Sequence, residues 1–190
     1  MQGIDYNVNV NVGIRVVDGN TGKYKEVFGH NLATKQMSLG IFKFLRGDFD
    51  VTNTEDTMKD FYPKYFVVGY STNPVSFTDT SLGQYLYYDG SKDDNPPYSV
   101  GTELDRISVG SNGYEENSNT ITLSLRFYVP SDVLAGTTAD PTVIKEVGLI
   151  TPNHQLCARY VLPQADWIEK KENDFIDVIW DISITSINAN

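Results

Sequence analysis

The chain has 190 residues, 40% of them hydrophobic and 21% charged, with 25 Asp and Glu against 15 Lys and Arg. The formal charge of −10 argues against sequence-independent binding to nucleic-acid phosphates, which needs a basic face, and against docking on anionic lipid. A lone cysteine, Cys157, forbids an internal disulfide, and no apolar run approaches the ~20 residues that span a bilayer.

The length fits one domain over 1–190. Twelve Tyr, nine Phe and many Val, Ile and Thr tilt the composition toward sheet. Residues 1–11 alternate Asn and Val and lack the basic start and apolar block of a signal peptide. The expectation is a product made in the cytoplasm that stays soluble or leaves inside a particle.

In chain order, Val8, Val10, Val12, Ile14 and Val16 share one parity, and Asn7, Asn9, Asn11 and Arg15 the other. Successive side chains of a strand point to opposite faces, so this is an amphipathic strand, or arm, over 2–17. Its alternate Asn residues do little to guard an edge, which makes Val8, Asn9, Val10 and Asn11 candidate contacts with another chain. Asp18-Gly19-Asn20-Thr21-Gly22 reads as a hairpin turn, with 23–28 returning. A helix is expected from about Thr34 to Arg46, where Ala33, Met37, Ile41, Phe44 and Leu45 form one stripe. Asn31 or Thr34 can cap it, and Gly47 can end it.

An acidic loop over 48–60 precedes a nearly continuous apolar strand at 65–70, expected to be buried on both sides. Residues 84–98 form an insertion loop with a Pro pair, decorated by Tyr85, Tyr87, Tyr88 and Tyr98. Tyr offers large rigid area with a polar tip, so these four are candidate partner contacts. A short strand at 104–109 and a turn over 110–119 lead to Ile121, Leu123, Leu125, Phe127 and Val129, which alternate cleanly and stop at Pro130. Strands at 143–150 and 156–162 form a hairpin, and a polar connection over 164–173 feeds the last strand, 175–187. There Ile176, Val178, Trp180, Ile182 and Ile184 take one parity and Asp177, Asp181, Ser183 and Thr185 the other. Roughly seven or eight strands, one N-terminal helix and no βαβ rhythm predict a mainly β fold, an antiparallel β-sandwich.

Chemistry-bearing patterns are few. Cys157, His30 and His154 fall short of a zinc set, and Cys157 sits where a small buried residue is ordinary. Serine-hydrolase and nucleotide-binding motifs are absent, and no Asp-x-Asp-x-Asp-Gly calcium loop appears. No enzyme activity, cofactor or metal is expected.

One set of segments points to a family. Ile144-Lys145-Glu146-Val147-Gly148-Leu149-Ile150 is followed by Gln155-Leu156-Cys157-Ala158-Arg159-Tyr160-Val161-Leu162-Pro163, then by the alternating strand with Val178 and Trp180. Upstream stand Gly29-His30-Asn31-Leu32, Pro63-Lys64-Tyr65-Phe66-Val67-Val68-Gly69, Asp79-Thr80-Ser81-Leu82-Gly83 and Glu103-Leu104-Asp105-Arg106. Together they cover most of residues 29–184 and resemble a group of tailed-bacteriophage virion proteins. Members of that group end in an E-x-G-L…L-x-A-R-x-x-x-P hairpin and a Trp-bearing strand. The N-terminal arm and the 84–98 insertion depart from the pattern.

The resemblance implies a non-enzymatic part of a tail, baseplate or neck: a ring, collar or adaptor subunit in the virion. Its partners would be other virion proteins and further copies in a symmetric ring, with no nucleic-acid contact or membrane insertion. The alternative is a receptor- or carbohydrate-binding module using the Tyr loop at a tail tip, and a glycan-cleaving enzyme comes third. Within the signature, Gly148 allows a close approach or a bulge. Glu146 and Arg159 either pair across the hairpin or stand as ordinary exposed charges.

Overall fold

The computed structural model describes residues 5–46, 63, 65–84, 86, 105–106, 114–116, 120–151 and 153–187. In chain order the elements are β1 (Asp5–Asp18), β2 (Tyr24–Ala33), α1 (Lys35–Arg46), β3 (Tyr65–Gly69), β4 (Asp105–Arg106) and β5 (Tyr114–Glu116). Then follow β6 (Thr120–Val129), β7 (Thr142–Ile144), β8 (Glu146–Ile150), β9 (Leu156–Val161), β10 (Ile168–Lys170) and β11 (Asp174–Ile187).

One sheet runs β3-β8-β9-β2-β1-β11-β6-β4, with β5 also on β6, and β10 pairs with β7 apart from it. Every pairing between these strands is antiparallel. β2 is where the sheet folds over. Up to Asn31 it lies beside β1, whereas Leu32 and Ala33 lie beside Arg159 and Ala158 of β9. Phe66 of β3 consequently stacks on Phe127 of β6, ring centroids 5.6 Å apart, and meets Trp180 of β11 edge-on at 6.3 Å. The fold is mainly β and antiparallel with sandwich-like packing, and α1 is the one α-helix among the described residues.

Alternation decides which groups enter the core. Val10, Val12 and Ile14 of β1, Leu125 and Phe127 of β6, and Ile176, Val178 and Trp180 of β11 are buried against Phe66, Val68, Val147 and Leu149. Fully burying each such side chain contributes about 1.5–3 kcal/mol. The opposite parity carries a polar ladder between β6 and β11. Thr122 meets Ser183 at 2.9 Å, Ser124 meets Asp181 at 2.6 Å, and Arg126 forks onto Asp177 at 2.6 and 2.7 Å. On the same face Phe28 is 75% exposed, its ring against Gly13, where an added Cβ would lie 3.2 Å from it.

Several expectations are corrected. β1 is interior over Val10–Val17, between β2 and β11, because β2 returns farther than the predicted 23–28. The strand expected over 143–150 breaks at Lys145, where the chain passes from the β7–β10 pair to the β3–β8 pair. The turn over 110–119 contains β5, and the polar connection over 164–173 contains β10. The apolar stripes also outrun the core: Val8 and Ile184 are each 37% exposed.

The helix starts at Lys35, so Thr34 holds the position before its first turn, where its carbonyl accepts the Ser38 N–H at 3.2 Å, and Asn31 lies too far back to cap it. The Thr34 hydroxyl donates to the carbonyls of Leu156 and Cys157, and its N–H also reaches the Cys157 carbonyl at 2.8 Å. That spends the hydroxyl on fastening the strand–helix junction to β9. The Asn31 amide is buried without a hydrogen-bond partner among the described residues, while the Phe77 carbonyl accepts the Lys35 N–H at 2.8 Å. Met37 is buried and Ile41 packs on the core, as the predicted stripe requires.

Candidate functional site

The signature residues converge at the β8–β9 hairpin. Glu146 lies opposite Val161 and Gly148 opposite Arg159, so Glu146 and Arg159 are diagonal neighbours on one face. Both are buried, at 0% and 2% exposure. Arg159 Nε and Nη2 both approach Glu146 Oε2 at 2.8 Å. Its Nη1 donates to Asp79 Oδ2 at 2.8 Å, and Nη2 also donates to the Asn73 carbonyl at 3.2 Å. The carboxylate's other acceptor positions take backbone N–H groups: Ser71 at 3.1 Å, Gly83 at 3.1 Å and Gln84 at 2.9 Å.

A buried ion pair offsets its desolvation only when the remaining donors and acceptors are also bonded, and here both carboxylate oxygens and all three guanidinium nitrogens have partners. The network therefore works as a clamp, holding the 71–84 segment to the sheet at both its ends. Of the two readings of this pair, pairing is the one observed.

Glycines make room for the clamp. A Cβ on Gly148 would lie 2.9 Å from Leu82 Cδ2, and Leu82 is buried there with Val67, Ile150 and Leu156. Close approach is thus the role of Gly148, and the register irregularity falls one step later, between Leu149 and Ile150. At Gly69 a Cβ would sit 2.3 Å from the Gln84 carbonyl oxygen and 2.6 Å from Glu146 Oε1. The Gly69→Ala variant is expected to lose about 1–3 kcal/mol through overpacking. Urea titration would show it as a lower midpoint, and an unchanged midpoint would deny the close approach.

The 84–98 insertion begins as an addition to β3: Tyr70 N–H donates to the Gln84 carbonyl at 3.0 Å, and Leu86 N–H to the Val68 carbonyl at 2.9 Å. Tyr85, Tyr87, Tyr88 and Tyr98 lie outside the described residues. Of the N-terminal contact candidates, Val10 is in the core, 3% exposed. Asn11 is flanked by strands on both sides, and its side-chain oxygen meets His30 Nδ1 at 2.6 Å. Val8 and Asn9 are exposed. Trp180 is a core residue, and its indole N–H has no partner among the described residues.

Titratable groups elsewhere serve the packing. Burial pushes the Cys157 thiol up to about 12, so the nucleophilic thiolate is scarce near neutral pH. Ellman's reagent is expected to leave Cys157 unmodified in the native chain and to titrate it once urea unfolds the protein. Rapid native labelling would contradict that burial. Lys170, overlooked in a polar connection, is fully buried and donates from Nζ to the Ser131 carbonyl at 2.9 Å. Burial lowers its pKa, opposed by Asp174 and Asp132. Among the described residues no group of three or more His, Cys, Asp or Glu is placed to hold a metal ion.

A cleft of about 570 Å³ lies between the β1–β2 turn and β10, lined among others by Lys23, Tyr24, Trp167, Glu169 and Lys171. Its charges are of both signs. Comparison of the chain with family models, with curated proteins and with solved structures finds no match.

Proposed function

We propose that the chain is a structural, non-catalytic subunit of a tailed-bacteriophage particle, acting by oligomeric assembly in the tail, baseplate or neck. It would serve as a ring, collar or adaptor subunit among other virion proteins. The observation that carries this reading is the convergence of segments that resemble such proteins. The stretches 65–69 and 79–83 lie far in sequence from 146–150 and 156–162, yet all four meet in one clamp around Glu146 and Arg159.

The clamp supports a mechanical role. Its three charged groups, Glu146, Arg159 and Asp79, are engaged in internal bonds, which stiffen a loop against the sheet. A stiff subunit loses little conformational entropy when its surface is buried, and that favours assembly. Phe28, Tyr128 and Ile179 on the outer face supply exposed apolar area of the kind a neighbour covers.

The test is density-gradient fractionation of particles from cells that make the protein, followed by mass spectrometry. The expected result is co-migration with the particle at a fixed ratio to its other proteins. Recovery in the soluble fraction alone would overturn the reading.

A further inference from the structure

β1 outruns its neighbour. Residues 5–9 pair with β11 on one side, from Asp5↔Ile187 to Asn9↔Ser183, whereas β2 pairs with β1 only from Val10↔Asn31 onward. β2 is held away from that end, because Leu32 and Ala33 belong to β9 and Thr34 is fastened to the carbonyls of Leu156 and Cys157. Among the described residues, nothing pairs with the other side of 5–9, and Asn7, Val8 and Asn9 are exposed. The β3 edge differs, since Gln84 and Leu86 cover it.

We propose that this edge is completed by the same segment of a second copy, running antiparallel about a two-fold axis at Asn7. The segment carries no Lys, no Pro and no bulge, and its one charged residue is Asp5 at the end. It is also self-complementary. A two-fold at Asn7 sets Asn7 opposite Asn7, position 6 opposite Val8, and Asp5 opposite Asn9, so like parity meets like parity across the seam.

Charge agrees. The chain carries −10 overall, yet this edge has one acidic residue per copy, and the pairing places it opposite a neutral amide. Beside the edge, Val8 and its partner Ile184 continue the apolar stripe past the end of the core, and the second strand would flank them. A stable interface needs about 1,200 Å² or more, which five strand residues do not supply alone, so a weak, concentration-dependent dimer is expected. The pairing does not depend on whether the protein acts in a particle.

The test uses the full chain with Asn7→Cys and, as control, Asn9→Cys. Directly opposed residues in an antiparallel pair have Cα atoms about 4.5–5.5 Å apart, within disulfide reach. The two copies of position 9 would be offset by about 13 Å along the strand and out of reach. Mild oxidation is expected to give a covalent dimer for Asn7→Cys alone, with the buried Cys157 taking no part. Sedimentation of the wild type over a concentration series is expected to show reversible dimers. In Asn7→Lys, where like charges would face each other, they are expected to be up to about fivefold weaker. A strictly monomeric wild type overturns the proposal. So does a dimer in which Asn7→Cys fails to cross-link or Asn9→Cys cross-links equally.

Discussion

Replacing Arg159 with Met is expected to destabilise the protein by about 3–5 kcal/mol, because it leaves the Glu146 carboxylate buried without its charge partner. Set against a typical total of about 5–15 kcal/mol, that is a large share, and it should appear as a sharp fall in the urea midpoint. The reverse deletion, Glu146→Leu, leaves the guanidinium with the partly exposed Asp79 as its carboxylate partner and also orphans the N–H groups of Ser71, Gly83 and Gln84. Since the two residues act as a unit, the double variant should lose clearly less than the sum of the singles. Asp79→Asn is a milder test: Asp79 is partly exposed, and a loss of about 1 kcal/mol or less is expected. A loss below about 1 kcal/mol for Arg159→Met would mean that water reaches Glu146.

Trp180→Ala is the second large effect. The side chain is fully buried at the centre of β11 and meets Phe66 from the facing layer, so truncation empties the contact between layers. A loss of about 3–5 kcal/mol is expected from calorimetric or urea unfolding. Trp180→Phe separates volume from polarity. Among the described residues the indole N–H has no hydrogen-bond partner, so phenylalanine forfeits no bond there and leaves only a smaller cavity, costing about 1–2 kcal/mol. Equal losses for Ala and Phe would show that the indole N–H matters after all.

The parts legible in the sequence are those where one face is wet and the other dry along a whole strand. β1, β6 and β11 announce themselves because Val10, Val12, Leu125, Phe127, Val178 and Trp180 alternate with polar groups. β3 was legible for the opposite reason: Phe66, Val67 and Val68 are all buried, and an unbroken apolar run says so. The far half of β2 was hidden because Phe28 is exposed and Gly29 interrupts the alternation. β10 was hidden because one of its two buried positions, beside Ile168, is a lysine, whose stem packs while its amine finds the Ser131 carbonyl.

The stripe ends at Val8 and Ile184 were expected inside, but whether a strand end is covered depends on the length of the opposing layer, which no local pattern records. The clamp was half legible. Glu146 and Arg159 could be placed on facing strands, but the diagonal register and the third partner, Asp79, eighty residues before Arg159, come only from the fold. Nothing in the local sequence of the 71–84 segment reveals that Glu146 collects its Ser71, Gly83 and Gln84 amides.

Those amides offer the most direct measurement. Hydrogen–deuterium exchange of Ser71, Gly83 and Gln84, resolved by NMR, reads whether the resembling segments are locked together. Protection comparable to that of the β8 and β9 amides is expected in the wild type, collapsing for these three in Glu146→Gln, which has a single acceptor oxygen to share among them. Fast exchange at all three in the wild type would contradict the clamp and remove the observation on which the assembly reading stands.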